Sequence, residues 1–323
     1  MKSLVATLLT LAVAGSLAAA ETRETASGAV AANSVELVDK PHAIDVRIGG
    51  ELFTTLHHGD DLPKPFFAPV HAPGGAVITR PIHFNGDVPE RFQAQLPPTT
   101  GKIDHPHQKG IFLATDEVNK VRFWAEAGKI ATQSVEAKSG NPATIQYVNH
   151  WNDRDGRTHL VETTTISIHP NRLMEWDIRF TAGDKGVAFD DTKEGMFGIR
   201  LVDSMRGSVG GRIVNSDGLE TEAQAWGKTA DWTDYSGPVD GKTVGVALFD
   251  HPENFRKSRY HVRNYGLFSM SPFGESAYTN GKEEAKPVHL KAGETLRLRY
   301  GVHVHAGDEK EGKVAEAFQQ FAR

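Results

Sequence analysis

The sequence predicts an all-β protein: a large antiparallel β-sandwich that ends in one helix. Runs of β-branched and aromatic residues are short, bounded by turn residues and recur along the chain, which is the spacing of a sandwich. One segment near the C terminus has helical periodicity. Between residues 35 and 306 there is no linker, low-complexity tract or fixed-period repeat. Residues 35–323 are therefore predicted to form a single domain.

The predicted strands begin with two hairpins. Two apolar-alternating runs meet at Gly49 and Gly50, and the same device recurs at Gly74 and Gly75. A meander and further strand-like runs follow. The meander occupies residues 129–137, 143–151, 158–169 and 173–182, and the later runs occupy residues 195–203, 243–250, 265–273 and 294–305.

The C-terminal region is predicted to combine a strand with a helix. In residues 294–305, alternation directs the even-numbered apolar side chains to the core, so His303 and His305 are expected on a solvated sheet face. The helix is predicted over residues 308–322, with Asp308 as N-cap and Glu311 three residues later. Its apolar stripe consists of Val314, Ala317, Phe318 and Phe321.

The first 20 residues have the pattern of a secretory signal peptide. Lys2 precedes an apolar run over residues 4–17, and three alanines end the segment. The run is shorter than the roughly 20 residues that cross a bilayer. We therefore expect cleavage near Ala20 and export to the periplasm or medium. Residues 21–34 are small and polar, and they are predicted to form a flexible leader.

Composition excludes several classes of protein. The chain has no cysteine, so its stability depends on an apolar core and redox chemistry at sulfur is excluded. A net charge of -5 provides no basic surface for nucleic acid, and no membrane contact is expected after signal cleavage. Fifteen histidines are many for 323 residues, and several lie in pairs.

The most distinctive segment is Asp104-His105-Pro106-His107. A residue before proline favours extended backbone, where side chains two apart project the same way. The two imidazoles are therefore expected on one side, with Asp104 aimed at the other. Such a pair can act as acid and base, form half of a metal site, or bind a hydroxyl-rich ligand. The alternative is a proline-stiffened turn whose histidines bond to backbone carbonyls.

A second group of polar residues surrounds a predicted strand. Glu194 lies at the mouth of this strand, Arg200 shares its parity and Lys193 adds a charge. Such a carboxylate is a candidate proton acceptor or sugar-hydroxyl ligand. The alternative is a solvated strand end, which is common for charged residues.

Two further segments are candidates for binding. Residues 225–243 are interpreted as a turn-rich loop whose Trp226, Lys228 and Tyr235 would bind the flat face and hydroxyls of a sugar, unless the loop merely packs on its own core. In residues 260–266, alternation on a predicted strand places polar side chains on one face, towards solvent or a polar pocket. These side chains are His261, Arg263 and Tyr265.

Several strings resemble the bacterial family labelled PmoA, a name borrowed from a methane oxygenase. They are "KPFFAPV", "ITRP", "DHPHQKGIF", "DTKEGMFGIR", "WGKTADWTDYSGPVDGKTVGVALFDHP" and "HVRNYGLFSMSPFG". The resemblance covers about residues 37–321. It implies a galactose-mutarotase-like β-sandwich whose relatives accompany sugar oxidoreductases and glycan-catabolic proteins. The borrowed label does not fit, because a membrane subunit needs apolar spans of about 20 residues.

The resemblance also implies roles for residues of the matching blocks. A mutarotase-like sandwich uses a histidine acid and a glutamate base on a sugar. The implied catalytic residues are His105, His107, Glu194 and His261. The implied substrate-binding residues are Arg80, Asp104, Lys109, Lys193, Arg200, Trp226, Lys228, Tyr235, Arg263 and Tyr265. This chain has Gln108 and Lys109 where members often have His-Arg, which weakens a metal role at position 108.

The leading hypothesis is an exported carbohydrate-active enzyme that cleaves or rearranges a glycoside by His/Glu acid-base catalysis, as a glycoside hydrolase or lyase. The expected partner is an oligosaccharide or glycoside. A non-catalytic glycan-binding protein and a mutarotase-type sugar epimerase are the alternatives. No cofactor is predicted, but a divalent metal is a further alternative. Its ligands would be His105, His107, Glu194 and His261.

The signal-peptide prediction is tested by the mass of the exported protein. After expression with its own N terminus, the periplasmic or secreted form is expected to begin at Glu21, because the small residues before it suit signal peptidase. Intact-mass spectrometry measures this. Full-length protein held in the membrane fraction would contradict it.

Overall fold

Two antiparallel eight-stranded sheets, which we call sheet 1 and sheet 2, contain most strands of the protein. The computed structural model describes residues 34–94 and 103–323. The predicted signal peptide and leader residues 21–33 lie outside the described residues. In the described part of the chain, every helix is too short or too polar to cross a membrane.

The strands are, in chain order, β1 (Val35–Lys40), β2 (Ala43–Ile48), β3 (Glu51–His57), β4 (Phe66–Val70), β5 (Ile111–Leu113), β6 (Lys129–Lys138), β7 (Ala143–Asn152), β8 (Thr158–Ile168), β9 (Leu173–Ala182), β10 (Val187–Phe189), β11 (Phe197–Arg200), β12 (Arg212–Asn215), β13 (Trp232–Val239), β14 (Lys242–Asp250), β15 (Arg259–Val262), β16 (Leu267–Ser271), β17 (Val288–Leu290) and β18 (Thr295–Ala306). The helices are α1 (Glu90–Gln93), α2 (Thr221–Ala225), α3 (Glu275–Tyr278) and α4 (Val314–Phe321). Two 3-10 helices lie at Asp203–Met205 and Gly207–Val209.

The order of the strands confirms the predicted fold class. Sheet 1 runs β1-β2-β3-β4-β5-β11-β16-β15, and sheet 2 runs β12-β13-β14-β18-β9-β8-β7-β6. A small sheet pairs β10 with β17. The pairings in sheets 1 and 2 are antiparallel, so the described chain is an all-β structure with one amphipathic helix at its C terminus.

Aromatic side chains of both sheets meet in the core. The ring of Phe197 in sheet 1 lies 4.8 Å from Trp176 and 5.5 Å from Tyr300, both in sheet 2. Phe67 of sheet 1 also contacts Trp176, at 5.4 Å. All four side chains are buried, and burial of this much apolar surface holds the sheets together. The face of sheet 1 that carries Phe197 therefore points inwards, and its other face points away from sheet 2.

Local turn signals predict many of the strand ends correctly. Gly49 and Gly50 adopt positive φ and connect β2 to β3, which confirms the first hairpin. The four meander strands β6 to β9 end within one residue of the predicted positions. The second hairpin is shorter than predicted, because only an isolated bridge between His71 and Val77 flanks the Gly74-Gly75 turn.

Two local predictions are wrong. Residues 225–243 are not a loop, because they contain β13, which pairs with β14 around a turn at Asp240 and Gly241. The residues His261, Arg263 and Tyr265 do not alternate along one strand. Strand β15 ends at Val262, and residues 263–266 form a turn in which Gly266 N donates to Arg263 O at 2.9 Å.

The face of β18 that carries His303 and His305 is buried, which corrects the prediction of a solvated face. The turn before α4 covers it. His303 Nε2 lies 3.1 Å from Gly312 O, and His305 Nε2 lies 2.7 Å from Asp234 Oδ2. Asp308 accepts hydrogen bonds within this turn, and α4 begins only at Val314.

Helix α4 is expected to stabilise the sandwich through Phe321. Phe321 packs against a small cluster on sheet 2 that includes Leu173 and Phe249. Replacing a buried phenylalanine with alanine leaves a cavity, so Phe321→Ala is expected to lower the free energy of unfolding by about 3 kcal/mol. Urea denaturation measures this, with exposed Gln319→Ala as the control. Equal stability of the two variants would show that α4 does not hold sheet 2.

Candidate acid-base site on the outer face of sheet 1

Four short strands of sheet 1 place polar residues on its outer face. A row of register partners crosses β5, β11, β16 and β15: Phe112, Gly198, Ser269 and His261. Register partners share a face, and Gly198 alternates with the core residue Phe197. The row therefore lies on the outer face, together with Arg200 two residues further along β11.

Residues 104–108, which we call the 104–108 turn, are not extended as predicted. His105 has φ of 44°, and Gln108 N donates to His105 O at 3.0 Å. The turn still brings the His105 and His107 rings to 5.7 Å between centroids, at 80° to each other. The two imidazoles are neighbours as expected, but the backbone that places them is a turn.

Asp104 joins two arginines from different segments. Its Oδ1 accepts from Arg80 Nη1 at 2.7 Å, and its Oδ2 accepts from Arg200 Nη2 at 2.8 Å. Arg200 also donates to Gln108 Oε1 at 2.6 Å. Burial alone would raise the pKa of Asp104, but the Arg200 guanidinium, then His105 and Arg80, hold it well below its usual range. Asp104 is therefore an anion that anchors the turn.

Tyr265 forms a platform beneath His105. The two rings are stacked at 5.2 Å with an interplanar angle of 3°. The guanidiniums of Arg200 and Arg263 lie 4.8 Å and 5.6 Å from the centroid of the Tyr265 ring. The side chain of His105 remains 45% exposed, so one imidazole face lies on tyrosine while the ring edge is accessible to a ligand.

Glu194 presents a half-buried carboxylate within electrostatic range of His105. Its backbone is fixed, because Asp116 N donates to Glu194 O at 2.8 Å and Glu194 N donates to Thr192 Oγ1 at 3.1 Å. Burial raises the pKa of the Glu194 carboxyl, and the Lys193 and His105 charges partly oppose this. Among the described residues, its carboxylate has neither a hydrogen bond nor an ion pair.

His261 is a buried, neutral histidine. Its Nδ1 lies 2.9 Å from Lys193 O, and because a carbonyl only accepts, Nδ1 carries the proton. Burial, then the Arg263, Lys193 and His105 charges, lower the pKa of His261 to about 4. Its Nε2 is therefore a hydrogen-bond acceptor, and it has no partner within the described residues.

Trp226 and Tyr278 flank His261. The Trp226 ring lies 6.1 Å from His261 at 90°, and its Nε1 is also buried without a partner in the described chain. The Tyr278 hydroxyl donates to Lys193 O at 2.9 Å, so it fixes the residue before Glu194. The sequence analysis missed Tyr278, and no motif marks it, because it approaches from α3.

Three residues that the sequence predicts to bind substrate are placed differently in the structure. Tyr235 is fully buried, and its hydroxyl accepts from Gly207 N at 2.9 Å and donates to Arg263 O at 3.2 Å. Lys109 is also fully buried and ion-paired to Glu126. Both predictions of substrate contact are therefore corrected, since neither side chain reaches the surface. Lys228 is exposed. Its contact near the site is through its backbone, because Tyr260 N donates to Lys228 O at 3.0 Å.

The four residues considered as metal ligands do not form a ligand set. Among residues 34–94 and 103–323, no three His, Cys, Asp or Glu side chains are arranged to hold a metal ion. His261 Nδ1 is occupied by a backbone carbonyl, and His105 lies on Tyr265. The arrangement instead groups a half-buried carboxylate with a water-accessible imidazole and a neutral imidazole.

Comparison with known proteins provides a family. The profile of a family of unknown function, DUF6807, matches residues 43–319. The resemblance to proteins labelled PmoA stays a prediction, since none of these matches has that label. No curated protein matches this chain.

Solved structures that match parts of this chain weakly include sugar epimerases. Galactose 1-epimerase from Lactobacillus acidophilus NCFM has a TM-score of 0.38 and 8% identity over 84% of this chain and 99% of its own. A galactose mutarotase related enzyme from Lactobacillus acidophilus has a TM-score of 0.31 and 11% identity over 84% and 97%. A candidate aldose 1-epimerase from Klebsiella pneumoniae subsp. pneumoniae MGH 78578 has a TM-score of 0.34 and 12% identity over 60% and 59%, so this chain spans about three fifths of it. At these identities and TM-scores the likenesses carry no conclusion about this chain.

Asp104 is expected to stabilise the folded protein through its two guanidinium partners. In Asp104→Asn, buried Arg200 and Arg80 lose their counter-charge, so the free energy of unfolding is expected to fall by about 1–2 kcal/mol at neutral pH. Urea denaturation measures this, with the exposed Asp217→Asn as the matched control. An Asp104→Asn variant as stable as Asp217→Asn would show that the ion pairs do not anchor the turn.

Proposed function

This chain belongs to the DUF6807 family, whose function is unknown, and we propose that it is an exported sugar epimerase of the aldose 1-epimerase type. The observation that carries the proposal is the Glu194 carboxylate, which is half-buried, has a raised pKa and interacts electrostatically with the exposed His105 imidazole. A carboxylate without a partner and a neighbouring imidazole provide one base and one acid. Interconversion of sugar anomers needs no further catalytic group.

The supply of free carboxylates favours epimerisation over glycoside hydrolysis. Hydrolysis commonly uses two carboxyl groups that flank the scissile bond. Of the acidic residues near the candidate site, Asp104 is bound by two arginines, and Asp116 by Arg122 Nε at 2.9 Å and Ala125 N at 3.1 Å. Within the described residues this leaves Glu194 as the one carboxylate there without a partner.

The proposed reaction moves one proton at each of two oxygens. Glu194 takes the proton from the anomeric hydroxyl, the bond between the anomeric carbon and the ring oxygen breaks as the carbonyl forms, and His105 delivers a proton to the ring oxygen. Rotation about the bond next to the carbonyl exposes its other face. The reverse steps close the ring with the opposite configuration and return both protons, so the enzyme is regenerated.

The remaining groups of the site suit a sugar hydroxyl. His261 Nε2 accepts and Trp226 Nε1 donates, and each is buried without a partner in the described chain. A buried polar atom without a partner is costly, and a ligand hydroxyl that bonds to it removes this cost. We propose that these two atoms orient the ring while Lys193, which is exposed, lies at the rim.

Glu194→Gln is expected to abolish most of the activity, because glutamine cannot accept the proton. We expect kcat for the interconversion of α- and β-galactose or glucose to fall roughly 10²- to 10⁴-fold, as measured by polarimetry or NMR exchange. As pH is lowered, kcat/KM should fall at a pH above the usual pKa range of glutamate. The reason is that burial raises the pKa of Glu194, and the protonated carboxyl is inactive as a base.

Glu253→Gln, whose side chain is 74% exposed and far along the sequence, is the control and should keep wild-type activity. Release of free sugar from glycosides without faster anomer exchange would instead support a glycosidase. Sugar binding that is preserved without any turnover would support a glycan-binding protein. Equal activity of Glu194→Gln and wild type would exclude Glu194 as the base.

A further inference from the structure

Two lysines and one glutamate form a buried ion cluster behind the 104–108 turn. Lys64 Nζ and Lys109 Nζ lie 2.8 Å and 2.6 Å from the same oxygen, Glu126 Oε1. The other oxygen of Glu126 accepts from Asn85 Nδ2 at 3.0 Å. Both lysine side chains are fully buried and that of Glu126 is 6% exposed. We call Lys64, Glu126 and Lys109 the lysine triad.

We infer that the lysine triad is a positioning device that holds the 104–108 turn and places buried positive charge behind it, so that His105 rather than His107 serves as the proton donor. The assignment of the donor rests on the proposed function. The positioning itself does not, because it concerns contacts within the chain.

The charges of the lysine triad do not balance. The triad buries two cations against one anion, so one positive charge has no matching carboxylate within it. Buried charge is expensive unless it is paired and hydrogen-bonded. Part of the compensation comes from aromatic faces, since Lys64 Nζ lies 5.0 Å from the Phe112 centroid and Lys109 Nζ lies 5.2 Å from that of Phe84.

The triad holds the turn through its backbone. Lys109 Nζ donates to Pro106 O at 3.0 Å. From the other side, Arg80 donates to the carbonyls of Asp104, His105 and Gln108, at 2.9, 2.9 and 3.2 Å. Arg80 and Lys109 together thus bind four carbonyls of the turn. These bonds explain why His105 adopts a left-handed φ although extended backbone is its local preference.

The excess positive charge acts on His107. Burial lowers the pKa of His107, and the Lys64 charge lowers it further while Glu126 opposes. His105 and Lys109 add to the lowering, so the pKa of His107 falls to about 3. The Trp124 ring, 6.3 Å away, covers another side of the imidazole. At physiological pH His107 is therefore neutral, whereas the half-exposed His105 ring is stacked on Tyr265.

The roles of the two lysines of the triad can be tested separately by substitution. Lys64→Met removes one buried charge and leaves the Lys109–Glu126 pair and the bond to Pro106. The charge that acts on His107 becomes nearly balanced, so its pKa is expected to rise by roughly one unit or more. Lys109→Met removes the bond to Pro106 and is expected to loosen the turn. Lys138→Met, at an exposed position in β6, is the control.

The readout for the charge is the NMR signal of the His107 ring. Between about pH 6 and about pH 4 it should shift only slightly in the wild type and in Lys138→Met, whereas in Lys64→Met it should titrate, because a pKa raised by about one unit brings the midpoint to the lower end of that range. A wild-type His107 that titrates like an ordinary histidine, or a Lys64→Met signal as flat as the control, would overturn the inference.

The readout for the turn is amide hydrogen exchange over residues 104–108. Lys109→Met should increase it at least about tenfold relative to Lys138→Met while exchange in the β6 to β9 meander is unchanged. Faster exchange throughout the protein would mean that the variant unfolds globally, and Lys109→Arg, which keeps a cation, should then restore protection. Unchanged exchange in the turn would overturn the positioning role.

Activity separates this inference from the proposed function. If the wild type interconverts sugar anomers, Lys109→Met should lower kcat more than it changes KM, because the donor His105 is displaced. His105→Gln should lower kcat far more than His107→Gln does. If the wild type is inactive on every sugar, the epimerase proposal fails, while the NMR and exchange results still decide the role of the triad.

Discussion

The ion pair between Arg200 and Asp104 is the interaction on which the candidate site depends. Arg200 lies at the end of β11 with no exposed side-chain surface, so its charge needs a partner that the sheet itself does not contain. Asp104 and Gln108 provide that partner from the segment before β5. Satisfying Arg200 therefore pulls the 104–108 turn across the outer face of sheet 1. His105 comes to lie on Tyr265 as a result.

The sandwich contributes rigidity from the opposite side. Tyr235 extends from sheet 2 to the turn at residues 263–266, where its hydroxyl holds the carbonyl of Arg263. His261 and Tyr278 both bond to the carbonyl of Lys193, so the residue before Glu194 is fixed by two elements. Most polar groups around the site thus bond to protein. The Glu194 carboxylate, His261 Nε2 and Trp226 Nε1 lack partners in the described chain, and for this reason we propose them as ligand contacts.

Sequence reasoning performed well where the relevant physics is local. The meander strands β6 to β9 have strict alternation and clear turns, and their predicted bounds agree with the structure almost to the residue. It failed at β13, where Gly237 and Pro238 resemble a loop although they lie within a strand. It failed again at His105, because the carbonyls of its turn bind Arg80 and Lys109, which override the preference of the residue before proline.

The same division holds for the site. The sequence alone determined the all-β class, the positions of many turns and the polar segments that meet on sheet 1, because periodicity and residue type act over a few neighbours. Only the tertiary structure decided that Tyr235 and Lys109 are buried supports, that His261 is neutral and that Glu194 is left without a partner. The physical reason is that burial and charge determine what an ionisable side chain does. Both come from distant segments, as in the pair of Lys64 and Glu126, which are 62 residues apart.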